Sequence, residues 1–157
     1  MATTAVKAQH EIGAIVGGMN GLSYKYWFSN HFALQTDLAV GLTQAAVENW
    51  SIGMYDFTVN PNALYHFDLP DNFKIFVGGG LSLGMLNYLN GGYSESIMGK
   101  FGINADAGVS YDIQSVPLVL AFDFRPGYGL GFRGSKGYSY TLNYFDWKVA
   151  FAIRYKF

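Results

Sequence analysis

Along most of this chain, large apolar residues alternate with small or polar ones at a period of two. That is the repeat of a β-strand, whose successive side chains point to opposite faces. The cleanest run is 101–112, where Phe101, Ile103, Ala105, Ala107, Val109 and Tyr111 interleave with Gly102, Asn104, Asp106, Gly108, Ser110 and Asp112. The same reading gives further strands over 11–18, 22–28, 32–42, 55–67, 73–85, 118–125 and 145–157. No amphipathic helix is predicted, because helix formers are sparse while 20 glycines and many aromatic and β-branched residues recur throughout.

Turn chemistry sorts the connections into two kinds. Those at 29–31, 68–72 (holding Pro70) and 114–117 are short and rich in turn formers. Longer polar, glycine-bearing loops are expected over 43–54, 86–100 and 130–144, with a tight Asn20-Gly21 turn on that same side. Strands joined in this way form an up-and-down antiparallel sheet with one trimmed and one decorated rim. We expect a single domain over 1–157, with 1–9 a flexible N-terminal segment.

Side-chain size decides which face is inside. An eight-stranded barrel is only just wide enough for side chains, so Phe, Tyr, Trp, Leu and Ile from every strand would overfill it. The opposite face, rich in Gly, Ala, Ser, Asn and Asp, suits a tightly curved interior. Aromatic residues on the bulky face gather near the short turns (Phe28, Phe32, Tyr65, Phe67, Phe73, Tyr111, Tyr155, Phe157). A second set lies toward the longer loops (Tyr55, Phe101, Tyr128, Phe145, Trp147), with aliphatic residues between. Two girdles around an aliphatic band are the profile of a barrel crossing a bilayer. The predicted fold class is all-β, an eight-stranded antiparallel up-and-down transmembrane β-barrel.

Composition narrows the function. The chain is 18% aromatic but only 13% charged, against roughly 25% charged in an ordinary soluble domain. Its net charge of -1 argues against nucleic-acid binding by bulk electrostatics. The absence of cysteine removes disulfides and thiolate chemistry. No apolar run approaches the roughly 18–20 residues of a membrane helix, and MATTAVKAQH lacks the apolar core of a signal peptide. A cytosolic chain and a mature form with its signal removed both remain open on this reading.

The stretches GLSYKYWFSN, FDFRPGYGL and AFAIRYKF carry a resemblance. With the even strand count and unequal rims, they resemble small bacterial outer-membrane barrels of the OmpA/OmpX type, a Gram-negative class, and a barrel family common in the Bacteroidetes. The resemblance covers nearly the whole chain and is architectural. It implies integral residence in the bacterial outer membrane, contact with the bilayer and lipopolysaccharide, and a monomer. It also implies that Phe151, Ile153, Tyr155 and Phe157 form the signal read by the barrel-assembly machinery.

The predicted interior collects charges of both signs, chiefly Glu11, Lys25, Asp37, Asp106, Asp123, Arg125, Lys148 and Arg154, joined by Asp56 and Lys74. We expect a plug of mutually neutralising groups, with glycines 13, 17, 78, 80, 84, 102 and 108 giving room. Arg154 is expected to pair with Asp123 or Asp37. His10, His31 and His66 fall near the short-turn rim or the N-terminus, away from where a lipid-modifying enzyme would meet substrate, and no metal spacing is evident. No cofactor or catalytic residue is expected. Trp50, Tyr88, Tyr93, Tyr138 and Tyr140 are loop candidates for surface contacts. The leading expectation is a non-catalytic barrel with a structural or surface-interaction role through its long loops. A narrow, porin-like pore or small-solute transporter is the alternative, ahead of a lipid-modifying enzyme or a soluble lipocalin-like carrier.

Overall fold

A computed structural model describes residues 9–47, 50–88, 97–135 and 138–157. Eight strands run in chain order: β1 (His10–Gly17), β2 (Met19–Trp27), β3 (Phe32–Val47), β4 (Trp50–Asp68), β5 (Phe73–Tyr88), β6 (Met98–Ile113), β7 (Leu118–Ser135) and β8 (Tyr138–Lys156). Each pairs antiparallel with its neighbour, and β8 returns to β1 to close the barrel. The seam runs from Glu11 opposite Lys156 to Gly17 opposite Ala150. Below it the His10 and Phe157 backbones exchange N–H···O bonds at 2.9 and 3.3 Å, and their rings stack at 5.4 Å. Closure leaves no free sheet edge along the seam, the condition for a sheet to sit in lipid.

Side-chain placement is inverted relative to a water-soluble barrel. Trp147 is 66% exposed, while Arg154 is fully buried. Ile12, Leu38, Val77, Ile103 and Phe151 all face outward, whereas Glu11, Lys25, Asp37 and Arg125 lie inside. Outward aromatics form a lower girdle that includes Phe28, Phe67, Tyr155 and Phe157, and an upper one that includes Tyr55, Tyr128, Phe145 and Trp147. The outer surface thus offers the aliphatic band and aromatic borders that a bilayer requires.

The short rim is built as its composition predicts. The Ser29 hydroxyl accepts from the Phe32 N–H at 3.0 Å. A single turn at Pro70–Asn72 places Asp71 and Asn72 at φ of 61° and 65°, the left-handed region these residues tolerate better than most. The other rim departs from expectation. Instead of loops over 43–54 and 130–144, β3 and β4 stay paired up to Val47 opposite Trp50, and β7 and β8 up to Ser135 opposite Tyr138. An antiparallel ladder is made by backbone groups, so a polar or glycine-bearing sequence extends it as readily as an apolar one. Likewise β5 runs to Tyr88 and β6 starts at Met98, leaving 89–97 as the connection, of which 89–96 lie outside the described residues. Of the expected N-terminal segment, 1–8 lie outside the described residues, and the Gln9 carbonyl accepts from the Trp27 N–H at 2.9 Å.

Strand length is uneven. β1 and β2 have 8 and 9 residues, the other six between 16 and 19. Gly17 sits at φ 129°, a conformation that side chains disfavour, and turns the chain back before the upper girdle. Pairing of β2 with β3 ends at Met19 opposite Gly41. Above that level the upper parts of β3 and β8 flank a notch in the barrel wall.

Candidate functional site

The interior is the only place where the described chain concentrates polar chemistry away from solvent, and alternation along each strand aims those groups inward. They gather in three levels. At the bottom, the Trp27 Nε1–H donates to Glu11 Oε1 at 2.7 Å, and Lys25 Nζ donates to His66 Nε2 at 3.3 Å. The Lys25 ammonium also lies 5.1 Å from the centre of the Phe76 ring. His66 is fully buried between Trp27 and Phe76, because its position in β4 points inward. At the rim below, Lys156 pairs with Asp112 at 2.8 Å, and Lys74 reaches Asp68 at 3.5 Å.

The middle level centres on Arg125. Its Nη1 donates to Asp37 Oδ2 at 2.8 Å, and its Nη2 donates to Asp123 Oδ2 at 3.2 Å. Nη2 also lies 2.8 Å from Asp106 Oδ2, an ion contact without hydrogen-bond alignment. Gln35 Nε2 donates to Asp37 at 3.0 Å and to Asp123 at 3.3 Å. Arg154 donates through Nε to Ser23 Oγ at 2.9 Å, and its Nη2 stands 3.7 Å from Asp123. Of the two partners expected for Arg154, Asp123 is the one within ion-pair distance, and it is shared with Arg125.

The upper level joins Asp56 and Asp146 to Lys100 and Lys148. Lys148 Nζ donates to Asp56 Oδ2 at 2.8 Å, Lys100 bonds the same oxygen, and both ammonium groups lie 3.4 Å from Asp146 Oδ2. The Thr43 hydroxyl lies 2.7 Å from Asp56 Oδ2 and 3.1 Å from Asp146 Oδ2. Next to this level Met54, Leu86, Met98, Leu142 and Tyr144 form an apolar cluster, with the centre of the Tyr144 ring 4.6 Å from Lys100 Nζ. Glycines 108 and 102 make room for bulky neighbours: a Cβ there would collide with the Phe76 ring and the Tyr144 hydroxyl, respectively.

All eight interior residues singled out from sequence, Glu11, Lys25, Asp37, Asp106, Asp123, Arg125, Lys148 and Arg154, are buried in these levels. Sequence reasoning left Lys100 in a loop and gave Asp146 and Thr43 no role. The missed signal was that the inward phase of β3 and β6, extended upward, reaches residues 43 and 100; Asp146 already lay within the predicted strand 145–157. Phe151, Ile153, Tyr155 and Phe157, expected from sequence to form an assembly signal, face outward and are all about half exposed. Tyr93 and the side chains of Trp50, Tyr88, Tyr138 and Tyr140 lie outside the described residues. Among the described residues, no group of three or more His, Asp or Glu side chains is arranged to hold a metal ion.

No protein-family model and no curated protein sequence matches the chain. Solved structures do. Neisserial surface protein A is 20% identical, with a TM-score of 0.65 over 96% of this chain and 95% of that one. The N-terminal β-barrel domain of Pseudomonas aeruginosa OprF is 16% identical, also at 0.65, over 96% and 99%. The outer membrane protein W of E. coli is 14% identical, at 0.55, over 98% and 100%. These likenesses establish the fold, that of the small eight-stranded outer-membrane barrels. Combined with the exposed aliphatic band between aromatic girdles, they make this chain an integral membrane barrel of the outer-membrane type.

Proposed function

We propose that this protein resides in the bacterial outer membrane as a monomeric, closed, non-catalytic barrel that acts through the surface of its long-strand rim. The observation that carries the reading is the filled interior. Between the middle and upper levels, the space bordered by Met19, Asn60, Arg125, Tyr144 and Lys148 amounts to about 10 Å³, room for no more than one water molecule. Every interior cation at those two levels lies within ion-pair distance of a carboxylate, so an ion entering the lumen would find its partners taken. A narrow pore would need a continuous wet path across the middle level and the apolar cluster at Met54, Leu86 and Met98.

In this reading, lipid and lipopolysaccharide contact the outer band, and the barrel-assembly machinery reads Phe151, Ile153, Tyr155 and Phe157. Surface contacts are made by the extended β3–β4, β5–β6 and β7–β8 hairpins, which rise past the upper girdle. The test is electrical and chemical. Purified protein in planar bilayers is expected to give no single-channel steps, and incubation with lipopolysaccharide to leave its acyl chains intact. Reproducible conductance steps would replace the closed barrel by a pore, and trimmed lipid would replace it by an enzyme.

A further inference from the structure

The apolar belt on the outer wall is not level. On β7 the outward face stays apolar past Tyr128 of the upper girdle, through Leu130 and Phe132, which are 39% and 52% exposed. On β6 it continues through Phe101 to Gly99 and, just before the strand, to Ile97, which is 58% exposed. The Phe132 ring lies over Gly99, since a Cβ there would stand 2.5 Å from it, so this face is smooth. The neighbouring strands turn polar at these rows. Asn143 and Thr141, both exposed on β8, stand opposite Leu130 and Phe132, and on β5 Asn87 follows Met85, the residue opposite Gly99. What remains is a finger of apolar surface that continues the lipid-facing band and carries no charged side chain among the described residues.

Across the barrel the wall is short. β1 and β2, with 8 and 9 residues, stand at or below the roughly 9–11 that a tilted strand needs to cross a bilayer. The outward apolar run of β2 ends at Leu22, and Asn20 above it is exposed. Ladder pairing on this side stops at Met19 opposite Gly41 and at Gly17 opposite Ala150, with one more bond from the Gly18 N–H to the Val149 carbonyl at 2.7 Å. Above these bonds the notch opens as a window, and among the described residues no ladder joins its β3 edge to its β8 edge. Backbone groups outside a ladder are poorly tolerated in hydrocarbon.

One rotation relieves both mismatches. We propose that the barrel leans in the bilayer: the upper outer wall of β6 and β7 is sunk into the acyl chains of the leaflet on the long-strand side, and the β1–β2 side is raised toward the head groups. The smooth, uncharged finger suits mobile acyl chains and takes them as a continuation of the band beneath it. On the raised side the window leaves the hydrocarbon, so its unladdered edges meet head groups and water. The β3–β4 hairpin is lifted with it.

This inference rests on the membrane placement and is independent of whether the lumen conducts. The chain has no cysteine, so nitroxide labels can be placed singly on the full chain in palmitoyl-oleoyl phosphatidylcholine vesicles. Depth is read from collisions with oxygen, which concentrates in hydrocarbon, against those with a water-soluble nickel chelate. Leu42 stands opposite Tyr55 of the upper girdle, whereas Phe132 lies a further four residues beyond Tyr128. In an upright barrel a label on Leu42→Cys is therefore deeper than one on Phe132→Cys; in the leaning barrel the Phe132→Cys label is expected to be at least as deep. Replacing Leu130 and Phe132 with asparagine removes the apolar rows near the interface, where polar outward residues are tolerated, and is expected to let the Leu42→Cys label sink. A Phe132→Cys label open to nickel while Leu42→Cys is shielded, or a Leu42→Cys depth unchanged by the double asparagine variant, would overturn the proposal. So would spin–spin broadening in the singly labelled Phe132→Cys protein, which would place a second copy on the finger. A Leu38→Cys label, in the middle of the band, that reads water would instead refute the membrane placement.

Discussion

Replacing Arg125 with methionine removes the one cation among the described residues that touches Asp37, Asp106 and Asp123 together, at 2.8, 2.8 and 3.2 Å. All three carboxylates are at most 1% exposed, so water cannot take the place of the guanidinium. Removing one member of a buried ion pair costs about 3–5 kcal/mol, because the remaining charge is stranded in a poorly polarisable interior. Here the loss is uneven. Gln35 still donates to Asp37 and Asp123, and Arg154 still faces Asp123, whereas Asp106 keeps no aligned partner. We therefore expect Arg125→Met to lie in that range, a drop of roughly two to three and a half powers of ten in the folding equilibrium. Adding Asp37→Asn and Asp106→Asn should restore most of it, since the stranded charges are then gone while the shape is kept. The assay is equilibrium urea unfolding in lipid vesicles, followed by tryptophan fluorescence and by heat-dependent gel mobility. A single variant within about 1 kcal/mol of the parent, or a triple variant no more stable than the single, would refute the reasoning.

Other outcomes follow from the outer band, the lower level and the seam. Leu38→Arg, in the middle of the band, should cost about 2–4 kcal/mol, and Leu42→Arg, beside the upper girdle, about 0–1 kcal/mol. Equal costs in vesicle unfolding would contradict the membrane height assigned to the girdles. Glu11→Gln keeps an acceptor for the Trp27 N–H and should be mild, whereas Glu11→Ala strands that donor and should cost about 1–3 kcal/mol by the same assay. Phe157→Ala removes the ring stacked on His10, worth about 0.5–1.5 kcal/mol to the finished barrel. Its larger effect is expected on the rate at which purified assembly machinery produces the heat-modifiable form, and an unchanged rate would count against the signal assigned to residues 151–157.

How far the sequence reaches can be judged strand by strand. Period two fixed the face of each residue, so the inward phase of Asp123, Arg125, Lys148 and Arg154 and the outward phase of Phe151, Ile153 and Tyr155 were legible directly. Side-chain size then set which face was inside, because a narrow lumen excludes a full ring of aromatics. Strand ends were not legible where the ladder continues through polar sequence: nothing in Thr43 or Lys100 by itself announces a strand, since the bonds that hold them there belong to the backbone of a neighbour. His66 shows the same limit. Its inward phase could be read, but not the packing between Trp27 and Phe76 that buries it.

The alternation of this sequence by itself determined the strands, their two faces and the inverted polarity of the barrel, because those properties depend on neighbours along the chain. Partner choice belonged to tertiary structure alone. Arg125 takes Asp37 and leaves Asp123 to be shared with Arg154, and Lys100 meets Asp56 across 44 residues of chain, because strand register and shear decide which inward side chains share a height. The window above the β1–β2 hairpin is likewise a product of closure. Two short strands become an opening only when β3 and β8 are brought up on either side of them.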